Sequence, residues 1–197
     1  MKRYRYVAAS LVFFLTICVA LLASEATAFD MARLMNHPSK TAVPETASFE
    51  VAFSPSPESE AAIVRFIGEA RASVHVAAYS FTSKEIAGAL VQAARKGLDV
   101  RVVVDKSQLG EKYTAAIYLA NQNVPVRVDS MYAIQHQKVI TVDSRSVELG
   151  SFNFTASARD RNSECVLVVR EVPELAARFE QNWAKMWQES QPLAPRH

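Results

Sequence analysis

The chain has 197 residues, half of which are hydrophobic and 21% of which are charged. This composition is typical of a folded globular protein and excludes a disordered one. The 22 Lys and Arg residues nearly balance the 20 Asp and Glu residues, so charge gives no indication of a strongly basic nucleic-acid-binding surface.

The first 28 residues have the pattern of a secretory signal peptide. Three basic residues among the first five precede an uncharged, mostly apolar run from Val7 to Ala23, and Ala26-Thr27-Ala28 supplies small residues for cleavage. The pattern predicts export and cleavage near Ala28; the alternative is an uncleaved membrane anchor, because about 17 apolar residues just suffice to span a bilayer. Cleavage would leave 19 basic and 19 acidic residues, so the mature chain would carry no net charge.

The mature chain would hold a single cysteine. Cys18 lies within the signal peptide, which leaves Cys165 and excludes an internal disulfide. We expect Cys165 to act as a small buried hydrophobic residue, and an intermolecular disulfide is the alternative.

Residues 29–47 predict a flexible spacer, because they contain two prolines and scattered polar residues. From Ser48 onward, strand and helix patterns alternate, which predicts an α/β domain over 48–190 with a mixed, largely parallel β-sheet and helices on both faces. Pro125 predicts that its strand lies towards an edge of the sheet. The predicted strands of this half are 49–53, 74–79, 100–104 and 124–128, and the predicted helices are 58–72, 84–95 and 112–121.

The second half of the chain is richer in predicted strands, which cover 136–142, 147–153 and 164–169. A final helix begins at Pro173 and carries Phe179, Trp183 and Trp187 at four-residue spacing. This aromatic stripe predicts packing of the helix against the sheet. Residues 191–197 are predicted to be a tail.

Four polar residues are predicted to meet on one face of the hairpin formed by 136–142 and 147–153. Side chains two apart on a strand share a face, so His136 lies with Lys138 and Ser151 lies with Asn153. Pairing across the intervening four-residue turn places Lys138 opposite Ser151 and His136 opposite Asn153. A shift of the register by one residue would separate the two pairs.

These residue types suit chemistry on a phosphate group. Lys138, Ser151 and Asn153 can donate hydrogen bonds to phosphate oxygens, whose charge grows in a five-coordinate transition state. His136 can act as a nucleophile or as an acid and base near neutral pH. Glu164, at the start of the next strand, could accept the second ring proton of His136.

The same stretch reads His-x-Lys-x4-Asp-x6-Gly-Ser-x-Asn, which resembles the signature of the phospholipase D superfamily at every fixed position. The aspartate is Asp143, which has a supporting role in this interpretation, although a turn-forming role is the alternative. Residues 78–82 and 162–164 extend the resemblance, which is nearest to the small bacterial single-motif endonucleases that are secreted or periplasmic.

The resemblance implies a metal-independent mechanism with two histidines and no cofactor. One histidine attacks phosphorus to form a phosphohistidine, and the other protonates the leaving alcohol and later activates water. The remaining histidines, at positions 37, 75 and 197, have no lysine two residues later. The resemblance therefore implies a homodimer with its active site on the two-fold axis, and His75 is predicted to be structural.

The resemblance also implies a role for each residue of the set. His136 is the nucleophile in one subunit and the general acid and base in the other, while Glu164 orients its ring. Lys138, Ser151 and Asn153 bind the substrate phosphate. No histidine, cysteine and carboxylate residues have metal-ligand spacing in the sequence, so no metal site is predicted.

Three functions are compatible with this site. The first is a non-specific endonuclease acting on DNA, with RNA as a second nucleic-acid substrate. The second is a phospholipase D that cleaves headgroups from phosphatidylcholine or cardiolipin, since both substrates are phosphodiesters. The third is a binding module that keeps the fold without catalysis, which the intact motif disfavours.

Overall fold

The computed structural model describes residues 38–111 and 113–195, so the signal peptide predicted over 1–28 lies outside the described residues. Residues 38–47, part of the predicted spacer, contain no helix or strand. The described residues from Thr41 onward belong to one compact unit. None of the described helices combines the length and apolar character that crossing a membrane requires.

The described residues form eight β-strands and five α-helices, at most of the places that the sequence predicts. The strands are β1 Ser48–Ser54, β2 Ser73–Ala78, β3 Asp99–Asp105, β4 Val126–Asp129, β5 Lys138–Val142, β6 Ser146–Gly150, β7 Glu164–Arg170 and β8 Gln191–Pro192. The helices are α1 Pro57–Gly68, α2 Lys84–Arg95, α3 Ala115–Asn121, α4 Ala156–Asp160 and α5 Pro173–Glu189.

All eight strands belong to one mixed sheet in the order β1-β7-β6-β5-β2-β3-β4-β8. The α/β prediction is confirmed, but the expectation of a largely parallel sheet is wrong. Only the β2–β3 and β3–β4 pairs are parallel among the described strands, and the other five pairs are antiparallel. Crossover helices connect the parallel strands, whereas the three-residue connection between β5 and β6 is too short for a parallel crossover.

The main hydrophobic core lies between the sheet and helices α1, α2 and α3. Sheet residues such as Val76, Val102 and Ile140 are fully buried there. Hydroxyl side chains cap the amino ends of all three helices, since Ser56 at α1, Ser83 at α2 and Thr114 at α3 each accept a hydrogen bond from a backbone N–H. These caps help to set where the three helices begin.

Helix α5 covers part of the opposite face, so helices flank both faces as predicted. Trp183 packs with Ala77 and Val103, and its indole N–H donates a 2.9 Å hydrogen bond to the carbonyl of Val76. The aromatic stripe of α5 therefore packs against the sheet, as expected. His75 has a structural environment here, with its ring stacked on Trp183 at 4.2 Å between centroids.

The part of this face near β1 is uncovered by α5 in the described chain. Phe49, Val51 and Phe53 point to it from β1, and their exposed fractions are 56%, 55% and 67%. We call these three residues the β1 face. Such a contiguous set of exposed large apolar residues is uncommon on a protein that acts alone.

The predicted tail contributes to the sheet. Gln191 pairs with Val128 and Pro192 pairs with Arg127, which makes β8 an edge strand beside β4. The N–H of Leu193 continues the contact with a 2.9 Å hydrogen bond to the carbonyl of Val126. The position of Pro125 near an edge is thus as predicted, with the two-residue β8 outside it.

Candidate active site

The candidate residues gather at one edge of the sheet. Because β5 runs antiparallel to both β2 and β6, its amino end lies beside their carboxyl ends. The amino end of β7 lies at the same edge, beside the end of β6. This edge brings together five of the six predicted site residues: His136, Lys138, Ser151, Asn153 and Glu164.

The hairpin register differs by one residue from the prediction. Val142 pairs with Ser146, so continuing the ladder places Lys138 opposite Gly150 and not opposite Ser151. The cause is the turn, where Asp143 and Ser144 have positive φ angles of 53° and 52°. These left-handed residues close a three-residue loop.

His136 precedes β5 and is not part of the strand, contrary to the prediction. Hydrogen bonds hold the chain on both sides of it: the N–H of Gln135 donates to Asp105 Oδ2, and the N–H of Gln137 donates to Gln135 Oε1, each at 2.8 Å. The N–H of Tyr79 donates to the carbonyl of Gln137 at 3.0 Å. The exposed ring of His136 lies against the Tyr79 ring, with centroids 4.6 Å apart.

Asp105 and Gln135 are positioning residues that the sequence analysis missed. Asp105 is only 2% exposed. Its burial would raise the pKa of the carboxyl, but N–H donors from Ser107 and Gln135 outweigh that effect and lower the pKa. An aspartate at the carboxyl end of a buried parallel strand is the signal that could have identified it.

Lys138 is a desolvated cation beside His136. Its side chain is buried, its Nζ donates a 2.8 Å hydrogen bond to the carbonyl of His136, and it lies 5.2 Å from the centre of the Tyr79 ring. Burial lowers the pKa of Lys138, and the negative charge of Glu164 opposes part of this effect. A poorly hydrated ammonium group is well suited to bind an anionic oxygen.

Gly150 and Ser151 join the end of β6 to β7. A Cβ atom on Gly150 would lie 2.1 Å from the carbonyl oxygen of Cys165, so this close approach requires glycine. The N–H of Ser151 donates to that carbonyl at 3.2 Å, and its Oγ accepts from the N–H of Cys165 at 3.1 Å. Cys165 is a free, half-buried cysteine, less enclosed than predicted.

Asn153 carries a buried polar atom that is aimed away from solvent and lacks a partner. Its Oδ1 has no hydrogen-bond partner within the described residues. The next residue is anchored firmly, because the carbonyl of Phe154 accepts from the N–H groups of Thr82 at 2.8 Å and Ser83 at 2.9 Å. A buried amide oxygen without a partner is costly, and the Nδ2 group of the same side chain is the donor that can bind a phosphate oxygen.

We expected Glu164 to accept a hydrogen bond from the ring of His136, but the structure shows no such contact. Glu164 Oε1 accepts a 2.9 Å hydrogen bond from Asn162 Nδ2, and its negative charge stabilises the charged form of Lys138. Neither ring nitrogen of His136 has a hydrogen-bond partner within 38–111 and 113–195. The prediction failed because His136 lies before β5, where its ring turns onto Tyr79.

Asp143 lies at the opposite end of β5 from this cluster, so the structure separates it from the predicted catalytic set. Its carboxylate accepts hydrogen bonds of 2.8–3.2 Å from the backbone N–H groups of Arg71, Ala72 and Ser73. The turn-forming alternative is therefore the correct one. Asp143 ties the β5–β6 turn to the start of β2.

The clustered groups combine an exposed imidazole, a desolvated ammonium group, an amide and a nearby carboxylate. Together they can bind a phosphate oxygen and offer an imidazole nitrogen for nucleophilic or proton-transfer chemistry. Among the described residues, no three His, Cys, Asp or Glu side chains come together as a potential metal site.

Comparison with known proteins identifies several similar chains. Phospholipase D from Rickettsia bellii (strain RML369-C) is 38% identical over 117 residues, which cover 59% of this chain and 58% of the relative. A mitochondrial cardiolipin hydrolase from Danio rerio is 32% identical over 124 residues, covering 62% of this chain and 54% of the relative. The chain thus spans less than two thirds of the length of these relatives.

Two solved structures match over nearly their whole length. Nuc from Salmonella typhimurium, described as a phospholipase D family member, has 38% identity and a TM-score of 0.72, with 75% of this chain and 99% of that chain covered. NucT from Helicobacter pylori has 26% identity and a TM-score of 0.65, with coverage of 74% and 100%.

A family model described as cardiolipin synthase, PLD-like domain, matches residues 63–187. That range is more than half of the chain and contains β2 to β7 and the clustered site residues. The chain therefore belongs to the phospholipase D superfamily.

Proposed function

We propose that this phosphodiesterase uses a phosphohistidine intermediate in an active site shared by two copies of the chain. The observation that carries the proposal is that the exposed imidazole of His136 and the buried ammonium group of Lys138 lie against the same Tyr79 ring, 4.6 and 5.2 Å from its centre. The imidazole provides the reacting nitrogen, and the ammonium group provides the charge that attracts the phosphodiester to it.

The reaction proceeds in two displacements at phosphorus. A ring nitrogen of His136 forms a P–N bond while the P–O bond to the leaving group breaks, and the partner's His136 donates its proton to the departing oxygen. Water then gives a proton to the partner's His136, its oxygen attacks phosphorus, and the P–N bond breaks. The products are an alcohol and a phosphomonoester, and both histidines return to their starting protonation states.

The other clustered residues stabilise charge during these steps. Lys138 and Asn153 bind the non-bridging phosphate oxygens, which gain charge as five-coordinate phosphorus forms. Ser151 assists from the end of β6, where Cys165 holds its hydroxyl in place. Glu164 supports the positive charge of Lys138.

The homodimer proposal rests on the single motif and on the β1 face. Each chain has one His-x-Lys pair, and the mechanism needs two histidines at one phosphorus atom. The β1 face reaches the site, because Phe53 pairs with Cys165, whose backbone holds Ser151. A second copy of the chain, related by a two-fold axis, would cover this face and bring its own histidine to the site.

The test of the dimer is to replace Phe53 by Asp. We expect sedimentation to change from dimer to monomer and kcat to fall with it, because a charge in the interface disfavours association. Val43→Asp is the matched control, since Val43 is 62% exposed and precedes β1. A wild-type protein that is fully active as a monomer would refute the shared site.

For the substrate, we propose DNA and RNA, cleaved without strong sequence preference. The support is the similarity in length and sequence to Nuc and NucT, whose chains are covered at 99% and 100%. Phospholipid is the second candidate, because the segment just before His136 exposes Met131, Tyr132 and Ile134 at 64%, 41% and 55%. Exposed apolar residues beside a site are typical of interfacial lipid binding, and several relatives are named phospholipase D.

A paired assay on one preparation separates the two substrates. Mature protein is incubated in excess chelator with plasmid, RNA, and vesicles of phosphatidylcholine or cardiolipin. We expect nucleic-acid cleavage and, after trapping at low pH, a phosphate label on His136 that is absent from His136→Ala. Headgroup release with intact nucleic acid would replace the nuclease proposal by the phospholipase, and absence of both products would refute phosphodiester hydrolysis.

We also propose that the protein acts outside the cytoplasm after removal of its signal peptide. The support is the basic, apolar and small-residue pattern of the first 28 residues. N-terminal sequencing of protein from the periplasm or medium should begin at Phe29. Recovery of only the uncleaved chain in the membrane fraction would instead establish the membrane anchor.

A further inference from the structure

A groove of about 540 Å³ lies between the amino end of α2 and the length of α3. Both helices follow parallel strands, so their amino ends lie at the carboxyl edge of the sheet, where the active site is located. Ligands of open α/β sheets bind outside the carboxyl ends of the strands. The groove is lined by side chains that the proposed chemistry does not use, among them Thr82, Lys84, Tyr113, Tyr118 and Asn121.

The groove is connected to the active site by backbone hydrogen bonds. Thr82 and Ser83, in its wall, donate their N–H groups to the carbonyl of Phe154 at 2.8 and 2.9 Å. Phe154 directly follows Asn153, so one peptide unit and one hydrogen bond separate the backbones of Thr82 and Asn153, a distance of about 10 Å. This distance is within reach of a nucleotide adjacent to the phosphate in the active site.

The walls of the groove are held in place by buried polar side chains. Gln108 is 2% exposed, and its Oε1 accepts from the N–H of Phe81 at 3.2 Å and from Thr114 Oγ1 at 3.0 Å. Ser83 Oγ donates a 2.6 Å hydrogen bond to Glu60, which is also buried. The groove is therefore a preformed feature of the fold, which lowers the cost of binding.

Resting on the proposed nuclease function, we propose that this groove binds an unpaired nucleobase of the strand whose neighbouring phosphate occupies the active site. Tyr113 and Tyr118 present rings that are 74% and 46% exposed, and exposed aromatic rings stack with bases of any identity. The exposed ammonium group of Lys84 can contact the flanking phosphate.

The lining favours a base over the acyl chain of a lipid. An acyl chain is bound best by a continuous apolar surface, whereas this groove interleaves its aromatic rings with Thr82, Lys84 and Asn121. Hydroxyl and amide groups can hydrogen-bond to base edges that are accessible only in single strands. The groove should therefore make the enzyme prefer single-stranded over double-stranded substrates.

The inference is tested on the full mature protein with Tyr118→Ala and Tyr118→Phe. The substrates are a single-stranded oligonucleotide and bis(p-nitrophenyl) phosphate, which is too short to reach the groove and reports on the active site itself. We expect Tyr118→Ala to raise KM for the oligonucleotide about tenfold at unchanged kcat, because the loss of one stacked base has that size. Tyr118→Phe keeps the ring and should retain the wild-type KM.

A charge-matched pair of variants provides a second measurement that does not depend on Tyr118. Lys84 and Lys96 are both exposed and lie at opposite ends of α2. We expect Lys84→Gln to raise the oligonucleotide KM and to reduce its dependence on salt, and Lys96→Gln to leave both unchanged.

Different results would overturn base binding by the groove and the nuclease function. If the wild type cleaves oligonucleotides and both Tyr118→Ala and Lys84→Gln keep its KM, the groove proposal is overturned and the nuclease stands. If the variants impair hydrolysis of phosphatidylcholine vesicles and not of oligonucleotides, the groove binds lipid and the inference is overturned. A wild type that cleaves no nucleic acid refutes the proposed substrate itself.

Discussion

The two ends of β5 carry two charged residues of one sequence motif, and they perform different tasks. At the amino end, Lys138 is buried beside His136 with a lowered pKa, where it can bind a phosphate. At the carboxyl end, Asp143 binds three backbone N–H groups and holds the turn to the start of β2. A short motif can thus contain both a residue that binds the substrate, here Lys138, and a residue that fixes the position of the same strand, here Asp143.

Of the substitutions at the two ends of β5, we expect that of Lys138 to have the largest effect, and to act on kcat. Replacing Lys138 by Met keeps the length of the side chain and removes its charge, so kcat should fall about 10²- to 10³-fold, the usual cost of losing one donor to a developing oxyanion. The wild-type rate should also decline at alkaline pH earlier than for an ordinary lysine of pKa 10.5, because burial lowers the pKa of Lys138 and only its charged form binds phosphate.

Steady-state kinetics from pH 6 to about 10 would measure both effects. Lys96→Met is the control for a lost surface charge. A Lys138→Met enzyme with the wild-type kcat would show that Lys138, at the amino end of β5, takes no part in the reaction.

At the other end of β5, the effect should fall on stability. Asp143→Ala removes a carboxylate that accepts hydrogen bonds from Arg71, Ala72 and Ser73. We expect the free energy of unfolding to fall by about 2–4 kcal/mol, since hydrogen bonds to charged groups are worth about 1.5–3 kcal/mol each and part of the loss is recovered by water. Urea unfolding would measure this change.

At a temperature where the variant remains folded, Asp143→Ala should keep kcat within about twofold of the wild type. Asp160→Ala, at the exposed end of α4, is the matched control for loss of a carboxylate. A large fall in kcat without a loss of stability would return Asp143 to the catalytic set.

The smallest predicted effect concerns the middle of the same sheet. Glu148 pairs with Ile140, has no exposed surface, and neither of its carboxyl oxygens has a hydrogen-bond partner in the described chain. Burial raises the pKa of Glu148 well above 4.5. The folded protein therefore holds this proton to a higher pH than the unfolded chain does.

By linkage, the stability contributed by the neutral acid is complete below about pH 4.5 and is lost as pH rises through the folded-state pKa. Glu148→Gln should remove this decline and raise the free energy of unfolding at pH 8 by an amount on the order of 1 kcal/mol. Denaturant unfolding from pH 4 to about 8 would test it, with the exposed Glu58→Gln as control. An unchanged pH dependence would show that Glu148 is ionised in the fold.

The sequence was sufficient to predict seven of the eight described strands, four of the five described helices and the clustering of four site residues, but not α4 or β8. Alternating patterns are local signals, and the spacing of His136, Lys138, Ser151 and Asn153 brings them to one place even with the wrong register. The register itself depends on left-handed backbone at Asp143 and Ser144. Neither residue is a glycine, so the sequence did not indicate positive φ angles there.

The other errors concern contacts between distant parts of the chain. The alternation of strands and helices in the first half led us to expect a largely parallel sheet. The three-residue turn between β5 and β6 requires antiparallel pairing, and β7 also pairs antiparallel with both of its neighbours. Asp105 and Gln135 act through hydrogen bonds between residues 30 positions apart, and such long-range contacts have no local sequence pattern. The position of His136 before β5 followed from those same contacts.

The pairing of β8 with β4 has a practical consequence for handling the protein. Without Gln191 and Pro192, β4 would present unpaired backbone groups at a free sheet edge, and such edges promote aggregation. Pro192 has no N–H group, so β8 is itself a poor template for a further strand. Shortened versions of the chain should therefore keep residues 191–193, and affinity tags should be attached beyond them.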